Sequence, residues 1–273
     1  MKVILSRKGF DSKNGGSPSV ILPNGEMLSF PIPGHAGDVR YGDVRKTADY
    51  SIEEFITMLG LKVKASDVCH VDPDLMSGSL SRQVGWKPIF GQCDAAATHL
   101  TNKGVQVGDL FLFFGWFRRT KQTPRGVVWD TSDKGRHVIY GYMEIGQILS
   151  IDDPTTEVPA WASYHPHMHP QLRSSLNNRL YIAREHLSGT DSVPGAGMLR
   201  FTEDLALSIA GRNRTEWQLP EFFRNVSISY HSPDSWKDDH FKAADRGQEF
   251  VVDESEAVTE WARSLVLNSK GCP

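Results

Sequence analysis

The sequence has little cysteine, no excess of positive charge and no long apolar run. Its three cysteines are Cys69, Cys93 and Cys272. They are widely spaced, odd in number and form no CxxC pair, which excludes a disulfide framework and favours free thiols in a reducing compartment. Thirty Lys and Arg against 33 Asp and Glu leave a net charge of −3. That balance excludes a coating or packaging role on nucleic acid, though a local basic patch could still hold a phosphate. No stretch approaches the roughly 18 apolar residues a membrane helix needs. The opening MKVILSRKGF is too short and too charged for a signal peptide. A cytoplasmic protein without membrane contact is expected. There is no internal repeat, low-complexity tract or clear linker.

What is present suits a globular chain. Hydrophobic residues make up 39%, aromatics 10% and charged residues 23%, enough for a sizeable core. The pattern predicts an α+β fold with a mixed, mostly antiparallel sheet and flanking helices. Residues 1–273 read as a single domain, with two subdomains sharing a sheet left open.

KVILS, residues 2–6, reads as a buried first strand. A glycine- and serine-rich loop follows to Pro18. Residues 19–32 read as a hairpin turning at Pro23-Asn24-Gly25 and ended by Pro31 and Pro33. SIEEFITMLG, residues 51–60, predicts a helix with a Ser51/Glu54 capping box, an apolar face of Ile52, Phe55, Ile56 and Leu59, and a stop at Gly60. Residues 92–103 predict an alanine-rich helix ended by Gly104. VQVGDLFLFFGWFRR, residues 105–119, predicts a turn at Gly108-Asp109 and a long central strand. HVIYGYMEIGQIL, residues 137–149, predicts another. PAWASYHPHMHP, residues 159–170, cannot be a regular helix with its proline spacing. Residues 178–187 read as a strand leading into a turn, and 192–201 as a loop entering a strand. The tail from Ser255 to Leu267 predicts an amphipathic helix with Val258, Trp261, Leu265 and Val266 inward.

Five segments could carry chemistry. In SRKGFDSKNGG, residues 6–16, Arg7, Lys8, Asp11 and Ser12 sit in a glycine-rich loop whose free amides suit an anion such as phosphate; it is neither GxxxxGK[ST] nor GxGxxG, and a solvated turn is the plain alternative. CHVDPDL, residues 69–75, alternates His70, Asp72 and Asp74, which point one way in an extended chain. They could hold a divalent ion or supply a general base, but Asp-Pro-Asp also serves as an ordinary turn. HPHMHP alternates His165, His167 and His169, a pattern open to a transition metal; with no carboxylate or cysteine beside them, an exposed irregular loop is the preferred reading, and no metal ligand set is assigned. VGDLFLFFGWFR, residues 107–118, places Trp116 beside Arg118, so that a base could stack on the ring and the guanidinium hold its phosphate; the phenylalanines read as core. This stretch also resembles the strand entry of PUA-like barrels, hence a partial barrel. RGQEF, residues 246–250, offers Gln248 and the acid/base candidate Glu249.

Taken together, SRKGFDS with the following glycine pair and PS, SFPIP, HVDPDL, GDLFLFFGWFR, NRLYIA and RGQEFVVD resemble the nucleotide modification associated domain 3 family over most of the chain. The resemblance implies association with systems that modify DNA bases in bacteria and their viruses, and hence a nucleotide or DNA as partner, with partner enzymes of such a system. It implies no catalytic set. The expectation is therefore an enzyme in which Arg7, Lys8, Asp11 and Ser12 hold phosphate, Asp72, Asp74 or Glu249 acts as acid or base, and Trp116, Arg118 and Gln248 place the base. A non-catalytic reader of modified bases and an interaction module are the alternatives. No residue pattern names a cofactor or cosubstrate.

Overall fold

Aromatic and β-branched residues fill a pleated sheet well, and the two runs richest in them become the longest strands of the computed structural model, which describes residues 1–45 and 50–269. Cys272 lies outside those residues. The strands are β1 (Val3–Arg7), β2 (Ser19–Ile21), β3 (Met27–Leu28), β4 (Ile32–Pro33), β5 (Cys69–His70), β6 (Ile89–Gln92), β7 (Leu110–Thr123), β8 (Gly126–Trp129), β9 (Arg136–Ser150), β10 (Arg179–Ala183), β11 (Ala196–Met198), β12 (Glu216–Trp217), β13 (Phe241–Lys242) and β14 (Glu249–Val252). The helices are α1 (Ile52–Leu59), α2 (Asp94–Asn102), α3 (Pro170–Arg173) and α4 (Glu256–Asn268). This is the expected α+β fold. Its main sheet runs β14-β1-β7-β9-β10-β6 and curls into a half-barrel. Only the β1–β7 and β2–β7 pairings are parallel; the rest are antiparallel.

The long strands β7 and β9 each serve two partners along one edge. β7 takes β1 and then β2, and β9 takes β11 and then β10. Pairing between them shifts register from Phe113↔Gly141 to Phe114↔Ile139. Tyr140 is therefore the extra residue of a β-bulge, a device that re-aims a side chain. Strand alternation divides the phenylalanines of β7. Phe111 and Phe113 pack on Phe90 of β6 at 5.1 and 5.3 Å, lining the concave face. Phe114 packs instead on Trp217 and His137 at 5.1 and 5.4 Å, on the other face.

Local expectations met the structure closely where the signals were strong. Ser51 and Glu54 form the capping box of α1, and Gly60 ends it in the left-handed region at φ 63°. The Pro23–Gly25 turn joins β2 to β3. The hairpin is shorter than expected, because residues 32–33 leave it to pair with Cys69–His70. Gln92 belongs to strand β6 and not to the helix, which starts at Asp94. In α4, Val258, Leu265 and Val266 are buried and Trp261 packs edge-on against Phe223 at 5.0 Å.

On the convex face, burial pushes the His137 imidazole down to about 3 from 6.5, with Arg7 and Arg214 adding to the effect. Its Nδ1 accepts from the Trp217 indole at 3.1 Å, so the folded state holds it neutral. The unfolded chain takes up a proton below 6.5 that the folded chain refuses until about 3. Stability is thus fully present above 6.5 and falls as pH drops through that window. His137→Phe, which keeps the ring contacts and removes the titration, is expected to flatten the fall. Urea midpoints from pH 7 to 3.5 check this; an unchanged slope in the variant counts against it.

Candidate functional site

A curled sheet leaves an open seam between its first and last strands, and here side chains bridge it. Strand β14 contributes Glu249 and strand β6 contributes Gln92. The Gln92 amide donates to Glu249 Oε1 at 2.7 Å, and Lys8 Nζ, from the residue following β1, reaches the same oxygen at 2.8 Å. Lys8 also lies over the Phe90 ring at 4.7 Å, and Gln248 Oε1 is 3.4 Å from both Lys8 and Gln92. Glu249 is only 1% exposed, yet its Oε2 has no hydrogen-bond partner among the described residues. Neither does the hydroxyl of Ser6, which faces Glu249 across the β1–β14 pair. A buried carboxylate oxygen without a donor is costly, and native structures rarely retain one without a reason.

At the same seam stands Tyr230. It is 56% exposed, adopts the left-handed conformation at φ 65°, and lies against the His99 ring with centroids 4.3 Å apart. A non-glycine residue held there is strained, and such strain clusters at functional sites. The Glu249 charge acts on both rings: it raises the Tyr230 phenol, secondary to burial, and partly opposes the burial that lowers His99. Tyr230 also packs edge-on against Phe250, the β14 residue next to Glu249, at 6.4 Å, which puts an exposed aromatic ring beside that strand.

A second polar centre adjoins β6. The Gly91 amide donates to Asp72 Oδ1 at 2.9 Å, one residue before the Gln92 that holds Glu249. Around Asp72 stand His165, His70 and His167, their Nε2 atoms 3.4, 3.6 and 3.7 Å from its oxygens. Donor atoms of His70, Asp72 and His167 lie within 4.8 Å of one another, close enough for one metal ion. Burial opposes ionisation of Asp72, but the imidazoles of His165, His70 and His167 outweigh it and hold the carboxyl well below its usual range. Burial likewise pushes His167 down to about 4. Gly91 is required beneath this cluster, since a Cβ there would fall 2.4 Å from His167 Cδ2 and 2.8 Å from His165 Cε1. The two centres meet at Tyr140, the bulge residue. Burial raises its phenol, and both Asp72 and Glu249 add to the rise. Gly9, Ser29, Asp72, Asp74 and Tyr140 line a cavity beside it.

The expected site residues divide among several places. Lys8, Gln248 and Glu249 come together at the seam, and Asp72 is tied to them through β6. Asp74 lines the cavity but is engaged by Arg82 in two hydrogen bonds of 2.7 Å and by the Tyr164 hydroxyl at 2.6 Å. It does not share the surroundings of His70 and Asp72, because its backbone pairs with Ile89 and its carboxylate answers to Arg82. Arg7 alternates to the convex face, where its guanidinium donates to the Ala244 and Asp245 carbonyls. Asp11 accepts from the amides of Lys13 and Asn14, closing its own loop. Ser12 accepts from Arg214, whose guanidinium covers the Trp116 ring at 4.0 Å. Arg118 donates to the Asp130 carbonyl and lies over Trp129.

The HPHMHP run differs most from its reading as an exposed loop. His165 and His167 are buried; His165 caps, and His167 lies within, a short 3-10 turn over Pro166–Met168. Only His169 departs, its Nδ1 accepting from the Gln171 amide at the start of α3. Gln92, Tyr140 and Tyr230 escaped the sequence reading. A single glutamine and tyrosines from unrelated segments carry no spacing signal; the curl of the sheet brings them together.

The profile of one protein family, nucleotide modification associated domain 3, matches residues 2–253. The chain belongs to this family. Comparison of this nucleotide modification associated domain with curated proteins and with solved structures brings up no match. Among the described residues, no helix is long and apolar enough to cross a membrane.

Proposed function

We propose that this nucleotide modification associated domain binds a nucleobase, free or in DNA, at the seam between β6 and β14 and modifies it there. The observation that supports the reading is the free Oε2 of Glu249. A carboxylate that is buried, charge-balanced by Lys8 and short of one donor is completed by a base edge offering N–H groups, such as an exocyclic amine. Tyr230 supplies the stacking face beside it, a contact worth about 1–3 kcal/mol per base. Glu249 is the carboxylate placed for proton transfer at the bound base; Asp72, which its imidazoles hold well below the usual carboxylate range, is a poor proton acceptor and stands nearby as a fixed anion. Lys8, at the same seam, is the cation proposed to face the sugar-phosphate of the bound base.

The test has a binding and a chemical arm. Nucleoside monophosphates and single-stranded oligonucleotides are titrated into the wild-type chain, Glu249→Gln and Tyr230→Ala. Tyr230→Ala is expected to weaken binding about 5- to 150-fold, the factor corresponding to the loss of one stacking contact. Mass spectrometry of nucleosides recovered after incubation is expected to show a changed mass with the wild type and none with Glu249→Gln. Binding unaffected by either seam substitution would defeat the reading.

A further inference from the structure

We propose that His70, Asp72 and His167 form a binding site for one divalent transition-metal ion at the edge of β6. Distances make the first case. The imidazole nitrogens of His70 and His167 stand 3.6 and 3.7 Å from one oxygen of Asp72, beyond good hydrogen-bonding range. Two donors sharing a tetrahedral ion at metal–ligand distances near 2.1 Å are about 3.4 Å apart. Both histidine–carboxylate separations thus nearly match the spacing that an ion imposes, and all three donor atoms lie within 4.8 Å of one another.

Proton bookkeeping makes the second. The Asn178 amide nitrogen donates to the carbonyls of His167 and Leu172, which fixes its oxygen toward His167 Nδ1, 2.8 Å away. That oxygen can only accept, so Nδ1 carries the proton. The lone pair of the neutral ring then sits on Nε2 and faces the Asp72 carboxylate. Two acceptors pointed at each other in a buried space call for a positive charge between them, and at 3.7 Å the gap is wider than a proton-bridged hydrogen bond. An imidazole oriented through its other nitrogen by an amide or carboxylate is also how proteins prepare a metal ligand.

The third observation is His165. Its Nε2 is buried, has no hydrogen-bond partner among the described residues and is aimed at the second oxygen of Asp72 at 3.4 Å. The site therefore has an unfilled polar requirement from a fourth side chain. Two imidazoles and one carboxylate suit zinc, iron(II) or cobalt(II); magnesium and calcium prefer all-oxygen sets. Three protein ligands leave coordination positions free. The ion's chemical use, as a Lewis acid or a source of hydroxide beside the base, rests on the base-modification reading; its binding does not.

The full chain, stripped with chelator and dialysed, is titrated with Co2+, Zn2+ and Mg2+. Expected are one Co2+ per chain with visible absorption bands of a nitrogen-ligated ion, displacement by Zn2+, and no competition from Mg2+. His167→Ala should lower Zn2+ affinity at least about 100-fold, and Asn178→Ala, which keeps all three ligands but removes the partner of the far His167 nitrogen, about 10- to 100-fold. His169→Ala should bind as the wild type does. If His167→Ala fails to fold, His70→Asn at the more exposed ligand carries the test. Absence of stoichiometric Co2+ or Zn2+ binding by the wild type overturns the inference, as does undiminished binding by a folded His167→Ala or His70→Asn. Glu249→Gln keeps the two claims apart: it should bind metal normally while losing the base, and metal failure alone leaves the seam reading standing.

Discussion

Lys8→Met should destabilise the protein by about 3–5 kcal/mol, and adding Glu249→Leu to it should restore most of that loss. Lys8 and Glu249 form a buried pair at 2.8 Å, with side chains 10% and 1% exposed. Removing the lysine leaves a buried carboxylate held only by Gln92, and an uncompensated buried charge carries a cost of that size. Replacing both members with apolar groups removes the charge problem and adds packing against Phe90. The double variant should therefore unfold near the wild-type urea midpoint. It should nevertheless bind no base, because the group that reads the base edge is gone. Stability recovered without binding is the pattern expected when a polar pair is kept for function against stability. A double variant less stable than Lys8→Met alone would show instead that the pair is structural.

The second large effect concerns Asp74. Arg82→Met should also cost about 3–5 kcal/mol. Asp74 is 2% exposed and takes two bonds from the guanidinium, both 2.7 Å. The arginine additionally donates to the Met76 and Ser77 carbonyls and stacks over Trp86 at 4.1 Å. Its loss leaves Asp74 with the hydroxyls of Tyr164 and Ser79 only. The adjoining cavity wall, residues 71–76, should loosen, with faster amide exchange confined to it. A shift below about 1 kcal/mol by chemical denaturation would mean that water replaces the guanidinium freely. Asp74 thus holds the wall that places Asp72.

These networks also mark how far the sequence could be read. Capping residues, turn dipeptides and the aromatic runs act over a few positions, so α1, the β2–β3 turn, β7 and β9 were legible. Alternation was legible too, but only up to the next break. His70 and Asp72 do share a direction, whereas Asp74 lies past Pro73 and answers to Arg82 instead. The two histidine segments looked unpromising separately, since neither held a complete ligand set. They lie almost a hundred residues apart, and each supplies what the other lacks once the chain sets both beside Gly91. Trp116 and Arg118 looked free to meet a base because sequence cannot show that Arg214 and the Asp130 carbonyl already occupy them. The phosphate loop was misleading in a related way. Neighbouring basic residues in an extended segment face opposite sides of a sheet, so Arg7 and Lys8 cannot serve one anion together.

A crystal structure of the chain soaked with a short single-stranded oligonucleotide tests the central claim most directly. The base should lie against Tyr230 with its N–H edge within 3 Å or so of Glu249 Oε2, the ordinary hydrogen-bond range, and its sugar-phosphate toward Lys8. A base found stacked on the convex face between Trp116 and Arg214, with the seam unchanged, would contradict it.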